Sequence, residues 1–147
     1  MILTELKTRL NRSQKLYHSL VEELDELDLS KKLASLPSNT IGQQLWCVIG
    51  ARTSYLKAAK AGKWSGFECP LDWEKTTSKS DVKSNLDKTY LDIENYLNEV
   101  GTLNENEGTT LLDLLEHEVQ HHGQLVRYIY GLKLEMPSTW KERYNLD

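Results

Sequence analysis

Apolar residues recur every three or four positions through four long segments of this chain, which is the period of an amphipathic α-helix. The segments cover residues 3–27, 41–62, 80–101 and 109–131, the last beginning at Thr109 or Thr110. No segment alternates apolar and polar residues for long enough to predict a β-strand. Four long helices without a sheet predict an all-α protein built as a four-helix bundle, with a short fifth element over residues 139–144.

The length and charge of the chain restrict the classes of protein it can belong to. It has 147 residues, enough for one hydrophobic core, and no repeat or long linker, so we expect a single domain over residues 1–147. Its net charge is −4 and its basic residues are scattered, which argues against nucleic acid as a partner. The uncharged stretch over residues 33–51 contains a proline and several amides, so we expect no membrane span.

The amino-terminal residues and the cysteine content indicate a cytoplasmic protein. Residues 1–7 alternate charges with leucines and therefore lack the apolar core of a secretory signal. Two cysteines, Cys47 and Cys69, are too few for a disulfide framework, and each is expected to be a free thiol.

A stretch rich in turn-forming residues separates the second and third predicted helices. Residues 62–79 contain two glycines, a proline and a cluster of threonine and serine, which predict a long loop. Trp64, Phe67 and Trp73 are spaced through this stretch. We expect the loop to pack these aromatic side chains onto the bundle.

Three of the four histidines of the chain lie within six residues of the fourth predicted helix. His117 and His121 are four positions apart, so their imidazoles lie on one helix face and can converge on one ion at about 2.0–2.1 Å. On a helical wheel this pair borders the apolar arc. The pair is therefore a candidate metal site, and the alternative is a helix that carries polar residues on its solvent side.

The same residues match the HExxH motif of zinc proteases, in which the glutamate is the general base. The extended form of that motif requires glycine and histidine at the positions of Gln124 and Arg127. A glutamate as third ligand would have to be Glu135 or Glu142, beyond the predicted end of the helix. These mismatches, and the lack of an upstream sheet, argue against a protease.

Two polar residues of the fourth predicted helix, Glu118 and His122, fall inside its apolar arc. Buried polar groups need partners, so these two can bond each other, support the metal ligands or reach another helix. Arg52 falls on the apolar side of the second predicted helix. It can pair with Glu118, bind an anionic ligand, or extend its head to water from a stem packed on the core. All three are candidates for supporting the metal site or binding substrate.

The segment His117-x-x-x-His121-His122-Gly123-Gln124 resembles the HxxxH-R-G-Q signature of the DinB/YfiT-like metalloprotein superfamily, with His122 where arginine is usual. The segment from Asn39 to Cys69, with Thr40-Ile41-Gly42-Gln43-Gln44-Leu45-Trp46-Cys47 near its start, resembles the second helix of that family. The resemblance implies an up-down-down-up four-helix bundle with a long loop between helices 2 and 3, often as a homodimer. It also implies a zinc or nickel ion, held by one histidine of the second helix and two of the fourth. Some relatives use this ion to activate a low-molecular-weight thiol in transferase chemistry.

The chain departs from the family at the histidine of the second helix. Cys47, or a neighbour such as Gln44, takes that position. A thiolate is a competent zinc ligand, and a set of Cys47, His117 and His121 would leave a fourth coordination position open. A thiol is also a small apolar group, so Cys47 can equally fill space between two closely packed helices.

Two functions remain open at this stage. The first is a metal-dependent transferase that acts with a low-molecular-weight thiol on a small-molecule substrate. The second is a metal-free, non-catalytic bundle that serves as a binding or dimerisation module. The apolar arc of the fourth predicted helix extends to Leu112, Val119, Val126 and Tyr130, more than one neighbouring helix covers, which predicts a homodimer.

Overall fold

A computed structural model describes residues 1–147 and contains helices but no strand, which confirms the predicted all-α class. The elements in chain order are α1 (Ile2–Glu23), a 3-10 helix (Glu26–Ser30), α2 (Ile41–Ala61), a 3-10 helix (Trp73–Lys75), α3 (Lys79–Glu99), α4 (Glu105–Gly131) and α5 (Ser138–Tyr144). None of these helices combines the length and the apolar character that a membrane span requires.

The predicted bounds of the second helix are confirmed, and local chemistry explains them. The Thr40 side chain accepts a hydrogen bond from the Gln43 backbone N–H, and the Gln43 side chain accepts one from the Thr40 N–H. This reciprocal capping box satisfies two backbone donors that a helix start leaves free. Gly62 ends the helix with φ of 78°, a left-handed conformation that glycine adopts without strain.

The predicted starts of the third and fourth helices are wrong by a few residues. Helix α4 begins at Glu105 rather than at residue 109 or 110, because Asn104 and Glu107 form a capping box and Gly108 lies inside the helix. Helix α3 begins at Lys79, because Ser78 rather than Ser80 accepts the capping hydrogen bond from the Asp81 N–H. Ser80 and Gly108 are therefore weaker indicators of a helix start than the capping residues Ser78 and Asn104 that precede them.

Helix α1 is shorter than the predicted segment over residues 3–27. It ends at Glu23, and a third capping box, between Asp25 and Asp28, begins a separate 3-10 helix. Leu24 and Leu29 are buried, but Leu27, the last leucine of the predicted segment, is 78% exposed, so the helical period of buried leucines ends with α1.

The directions of the long helices follow from the residues that meet between them. Helix α1 runs parallel to α4 and antiparallel to α3, and α2 runs antiparallel to α4. Leu10 and Leu114 belong to one core cluster and Leu20 and Leu125 to the other, which sets α1 parallel to α4. Hydrogen bonds and ion pairs join Gln44 with His121 and Arg52 with Glu118 between α2 and α4, and Asn11 with Tyr90 and Glu22 with Lys83 between α1 and α3.

A buried polar layer divides the hydrophobic core into two clusters. One cluster contains Leu20 and Ile129, and the other contains Leu10 and Leu114. Between them lie the buried side chains of Ser13, Gln14, Arg52, Glu118 and His122, which we call the polar layer. Since buried polar groups must find partners inside the protein, this layer fixes how α1, α2 and α4 face one another at mid-height.

The loop after α2 packs aromatic residues against that helix, as predicted. The Trp46 indole N–H donates to the Leu71 carbonyl at 2.8 Å, and its ring contacts Phe67 and Trp73 with centroids 5.0 and 4.9 Å away. The Phe67 ring occupies the space beside Gly50, which a side chain at that position would fill. The loop therefore covers the outer face of α2.

Candidate metal centre

The structure brings Cys47, His117 and His121 together between α2 and α4. One donor atom from each residue lies within 4.8 Å of the other two. The Cys47 Sγ and His117 Nε2 atoms are 3.7 Å apart. Two ligands of a tetrahedral zinc ion, at about 2.3 Å for sulfur and about 2.1 Å for nitrogen, are separated by about 3.6 Å. The spacing of this thiol and imidazole therefore fits a shared ion.

Gln44 fixes the orientation of the His121 ring. The His121 Nδ1 atom is 2.6 Å from Gln44 Oε1, and an amide oxygen only accepts, so Nδ1 carries the proton. The lone pair of His121 is then on Nε2. A hydrogen bond from the second ring nitrogen to a carbonyl is the usual way a protein orients a histidine ligand.

His117 is incompletely satisfied by the protein alone. Its Nδ1 atom is buried and has no hydrogen-bond partner, and its Nε2 atom faces only the Cys47 thiol. A buried nitrogen without a partner costs free energy, because it has lost its bonds to water. A neutral imidazole has one lone pair, so Nε2, which faces the Cys47 thiol, is the nitrogen available to an ion, and Nδ1 then carries the proton.

Burial sets the protonation of all three candidate ligands. Burial lowers the pKa of His117. Burial, with added repulsion from His117 in its protonated form, lowers the pKa of His121 to about 4. Both imidazoles are therefore neutral near pH 7 and present lone pairs. Burial raises the pKa of the Cys47 thiol, so this group is protonated until a cation displaces the proton.

Arg52 and Glu118 form an ion pair in the polar layer, each with 1% of its side chain exposed. The Arg52 Nη2 atom lies 2.9 Å from Glu118 Oε1, and Nε lies 3.2 Å from both carboxylate oxygens. Its Nη1 atom donates to Gln14 Oε1 and to the Leu86 carbonyl. The alternative in which the Arg52 head extends to water is therefore wrong, because the carboxylate and two further acceptors replace water.

His122 links the polar layer to the carboxy-terminal helix. Its Nε2 atom is 2.9 Å from Ser13 Oγ, and its Nδ1 atom is 2.6 Å from the Tyr144 hydroxyl. Burial, with added repulsion from Arg52, lowers the pKa of His122 to about 3, so the ring is neutral. Ser13 also donates to Glu118 Oε1 at 3.1 Å, which joins His122 to the ion pair through one hydroxyl.

The three residues expected to support the metal site thus have partners of their own. Arg52, Glu118 and His122 make no hydrogen bond to Cys47, His117 or His121, and Glu118 and His122 meet through Ser13 rather than directly. Of the positions weighed for the second-helix ligand, Cys47 lies among the donors and Gln44 lies behind His121.

Sequence reasoning missed three residues of this region, namely Ser13, Gln14 and Tyr144. The first two interrupt the apolar face of α1 between Leu10 and Tyr17, a signal comparable to that of Glu118 on α4. Tyr144 gave no such signal, because its partner depends on how α5 folds back on the bundle.

The arrangement offers one thiol and two neutral imidazoles to a single cation and leaves the fourth vertex of a tetrahedron free. This donor set suits zinc, and imidazole also suits nickel. His18, the histidine outside the cluster, lies on the exposed side of α1 near Glu22 and Asp87. No family model and no curated protein matches this chain.

Proposed function

We propose that this chain is a divalent-metal-binding protein of the DinB/YfiT-like type, whose four long helices form an up-down-down-up bundle. The direction of each helix relative to its neighbours supports this topology, since α1 and α4 run one way and α2 and α3 the other. The long connection over residues 62–78 has the length that a crossover between parallel neighbours requires.

The observation that carries the metal proposal is the convergence of Cys47, His117 and His121 from two helices. The two histidines are available as ligands, because both imidazoles are neutral and Gln44 sets the His121 tautomer. The His117 Nε2 atom has no hydrogen-bonding neighbour other than the Cys47 thiol, which supports an ion as its partner. We therefore assign these three side chains as ligands of zinc or nickel.

The proposed activity is transferase chemistry with a low-molecular-weight thiol. A metal with a free coordination position lowers the pKa of a bound thiol or water, so that the reactive anion forms near neutral pH. With a metal bound, a Cys47 thiolate would add negative charge to the site, while Gln44 holds the His121 ring in place. Because this added charge opposes ionisation, the pKa of a bound thiol would be lowered less than at a site with three imidazoles.

Metal content and zinc affinity test this proposal. The purified protein should contain close to one equivalent of zinc or nickel by elemental analysis. Replacement of Cys47 with Ser, or of His117 or His121 with Ala, should lower zinc affinity by more than the roughly 100-fold that loss of a supporting hydrogen bond costs. His18→Ala is the matched control and should bind zinc like the parent, while circular dichroism verifies that all variants remain helical.

The outcomes separate three interpretations. If Cys47→Ser keeps full occupancy while the two histidine variants lose it, then Cys47 fills space and the third ligand lies elsewhere. If the parent holds no metal and binds none, the chain is a non-catalytic helical module. The observation that favours this second function is the row of exposed apolar side chains on α4, which includes Leu112, Val119 and Tyr130.

A further inference from the structure

A cleft of about 570 Å³ lies beside the candidate metal centre. Gln44 from α2 and Gln124 and Arg127 from α4 line it, together with Ser38 and Asn39 from the segment before α2. Its volume is within the range that small-molecule sites occupy. Leu33 and Tyr128 complete the lining, so the cleft presents amides, two hydroxyls, one guanidinium and an apolar side chain, but no carboxylate.

Gln44 connects this cleft to the metal centre. The residue is 8% exposed, and its Oε1 atom accepts the hydrogen bond from His121 Nδ1. Its amide nitrogen makes no hydrogen bond within the chain, although the residue lines the cleft. Solvent reaches this nitrogen, since the buried polar atoms without a partner are Tyr96 OH and His117 Nδ1, so its N–H groups are donors open to a ligand in the cleft.

Arg127 supplies an uncompensated positive charge to the same cleft. It takes part in none of the ion pairs of the protein. The positions one helical turn away on either side hold Gly123, Gln124, Tyr130 and Gly131, so no acidic residue on α4 can neutralise it. A planar guanidinium binds a carboxylate through two parallel hydrogen bonds, which makes a carboxylate the anion that suits it best.

We propose that this cleft binds the carboxylate of a small organic molecule, with the Arg127 guanidinium and the Gln44 amide nitrogen as donors. The proposal deepens the proposed function, on which the choice of probe below rests. Arg127 lies six residues beyond His121 on α4, about 9 Å along the helix axis and about 120° around it, and its long side chain covers part of that separation. A thiol of tripeptide size spans that distance, so its carboxylate can occupy the cleft while its sulfur is at the metal centre.

S-methylglutathione is a suitable probe, because it carries two carboxylates but no free thiol that could bind a metal. The protein is freed of metal by dialysis against a chelator, which is then removed. Titration is followed by NMR shifts of the side-chain amides of Gln44 and Gln124. Saturable shifts are expected with S-methylglutathione, with affinity at least roughly tenfold weaker for its diethyl ester and for Arg127→Gln, the effect of losing one charge-assisted hydrogen bond. Arg9→Gln, which removes an exposed arginine of α1, should bind like the parent.

Three results would overturn the inference and leave the metal assignment unaffected, because zinc affinity is measured separately. The parent could show no saturable shifts, it could bind the diethyl ester as tightly as S-methylglutathione, or Arg127→Gln could bind S-methylglutathione as tightly as the parent does. Inorganic phosphate is titrated in parallel, and tighter binding of phosphate than of S-methylglutathione would identify a phosphate site instead. A parent that binds the probe but no zinc would support the cleft and contradict the metal proposal.

Discussion

Gln44 is the residue on which the geometry of the candidate centre depends most directly. It is buried on α2, one helical turn before Cys47, and its amide oxygen holds the proton of His121 at Nδ1. Without this acceptor the His121 ring could rotate or present the other tautomer. A side chain that touches no ion can in this way decide whether a ligand is oriented for one.

Replacement of Gln44 with Leu should therefore lower zinc affinity by about tenfold to a hundredfold, because His121 loses its orienting acceptor. Gln44→Glu keeps an acceptor oxygen at the same position and should retain affinity close to that of the parent. Competition with a chromogenic chelator measures both values. Equal zinc affinity of Gln44→Leu and the parent would show that packing alone holds the His121 ring.

His122 should make stability depend on pH in the metal-free protein. Its pKa is about 3 in the folded state and near 6.5 when unfolded, so the unfolded chain takes up a proton first as the pH falls. The stabilising contribution is present above pH 6.5 and is lost as the pH falls toward 3. His122→Gln should reduce the slope of unfolding free energy between pH 5.5 and 4 by about 1.4 kcal/mol per pH unit.

Urea unfolding at several pH values measures that slope for the parent and for His122→Gln. The comparison of the two slopes removes the contribution of carboxylates, which both proteins share. Parallel slopes would mean that His122 takes up a proton in the folded state as readily as in the unfolded chain.

At the scale of elements, the start of α2 is held by close contact with two other segments. A side chain at Gly42 would collide with the backbone carbonyl of Thr76 and would lie 3.0 Å from the Leu29 carbonyl oxygen. Backbone atoms cannot move aside as a flexible side chain can. Glycine at this position therefore allows Thr76, near the end of the loop between α2 and α3, and Leu29, in the first 3-10 helix, to pack against α2.

Gly42→Ala should destabilise the protein by about 1–3 kcal/mol, the typical cost of forcing an extra methyl group into a packed site. Gly123→Ala is the matched substitution in α4, where nothing lies within 4 Å of the added carbon. This second change should stabilise the protein by up to about 1 kcal/mol, because alanine favours a helix more than glycine does. Thermal and urea unfolding distinguish them, and stabilisation by both changes would contradict the close contact at Gly42.

The predicted and observed helices differ in their ends more than in their existence. Apolar periodicity predicted all four long helices, and Gly62 ended the second where expected. The predicted start of α4 at residue 109 or 110 is wrong because Gly108 lies inside the helix, and Asn104 and Glu107, three positions apart, are the stronger local signal. Helix existence follows from burial of one face, but helix ends follow from individual side-chain caps.

At the scale of the whole molecule, contacts between helices were less predictable than the helices themselves. The sequence placed Arg52 and Glu118 on apolar faces, yet whether they meet depends on the register of α2 against α4. The proximity of Cys47 to His117 depends on the same register. Periodicity within one helix contains no information on that register, so Cys47 as a neighbour of the histidines came only from a family resemblance.

The exposed apolar side chains on α4 predict self-association. Leu112, Val119 and Tyr130 are 39%, 45% and 44% exposed, and they lie along one side of the longest helix. We expect a homodimer at micromolar concentration in sedimentation, because pairing would remove this surface from water. Val119→Glu should shift the protein to a monomer.

Leu91→Glu is the control for that experiment, since Leu91 is 51% exposed on α3 and its replacement adds the same charge elsewhere. Its sedimentation should match that of the parent. A parent that sediments as a monomer, or dissociation by both substitutions alike, would exclude an interface centred on α4.

The buried pair of Arg52 and Glu118 also limits how this sequence can change over evolutionary time. Loss of either partner leaves an uncompensated charge inside the protein and costs about 3–5 kcal/mol, a large part of the roughly 5–15 kcal/mol that keeps a typical domain folded. Replacement of both by apolar residues is often neutral or stabilising. Every path between these two states that changes one residue at a time passes through a poorly folded intermediate. Descendant lineages should therefore keep both residues or lose both, even after any functional reason for the pair has disappeared.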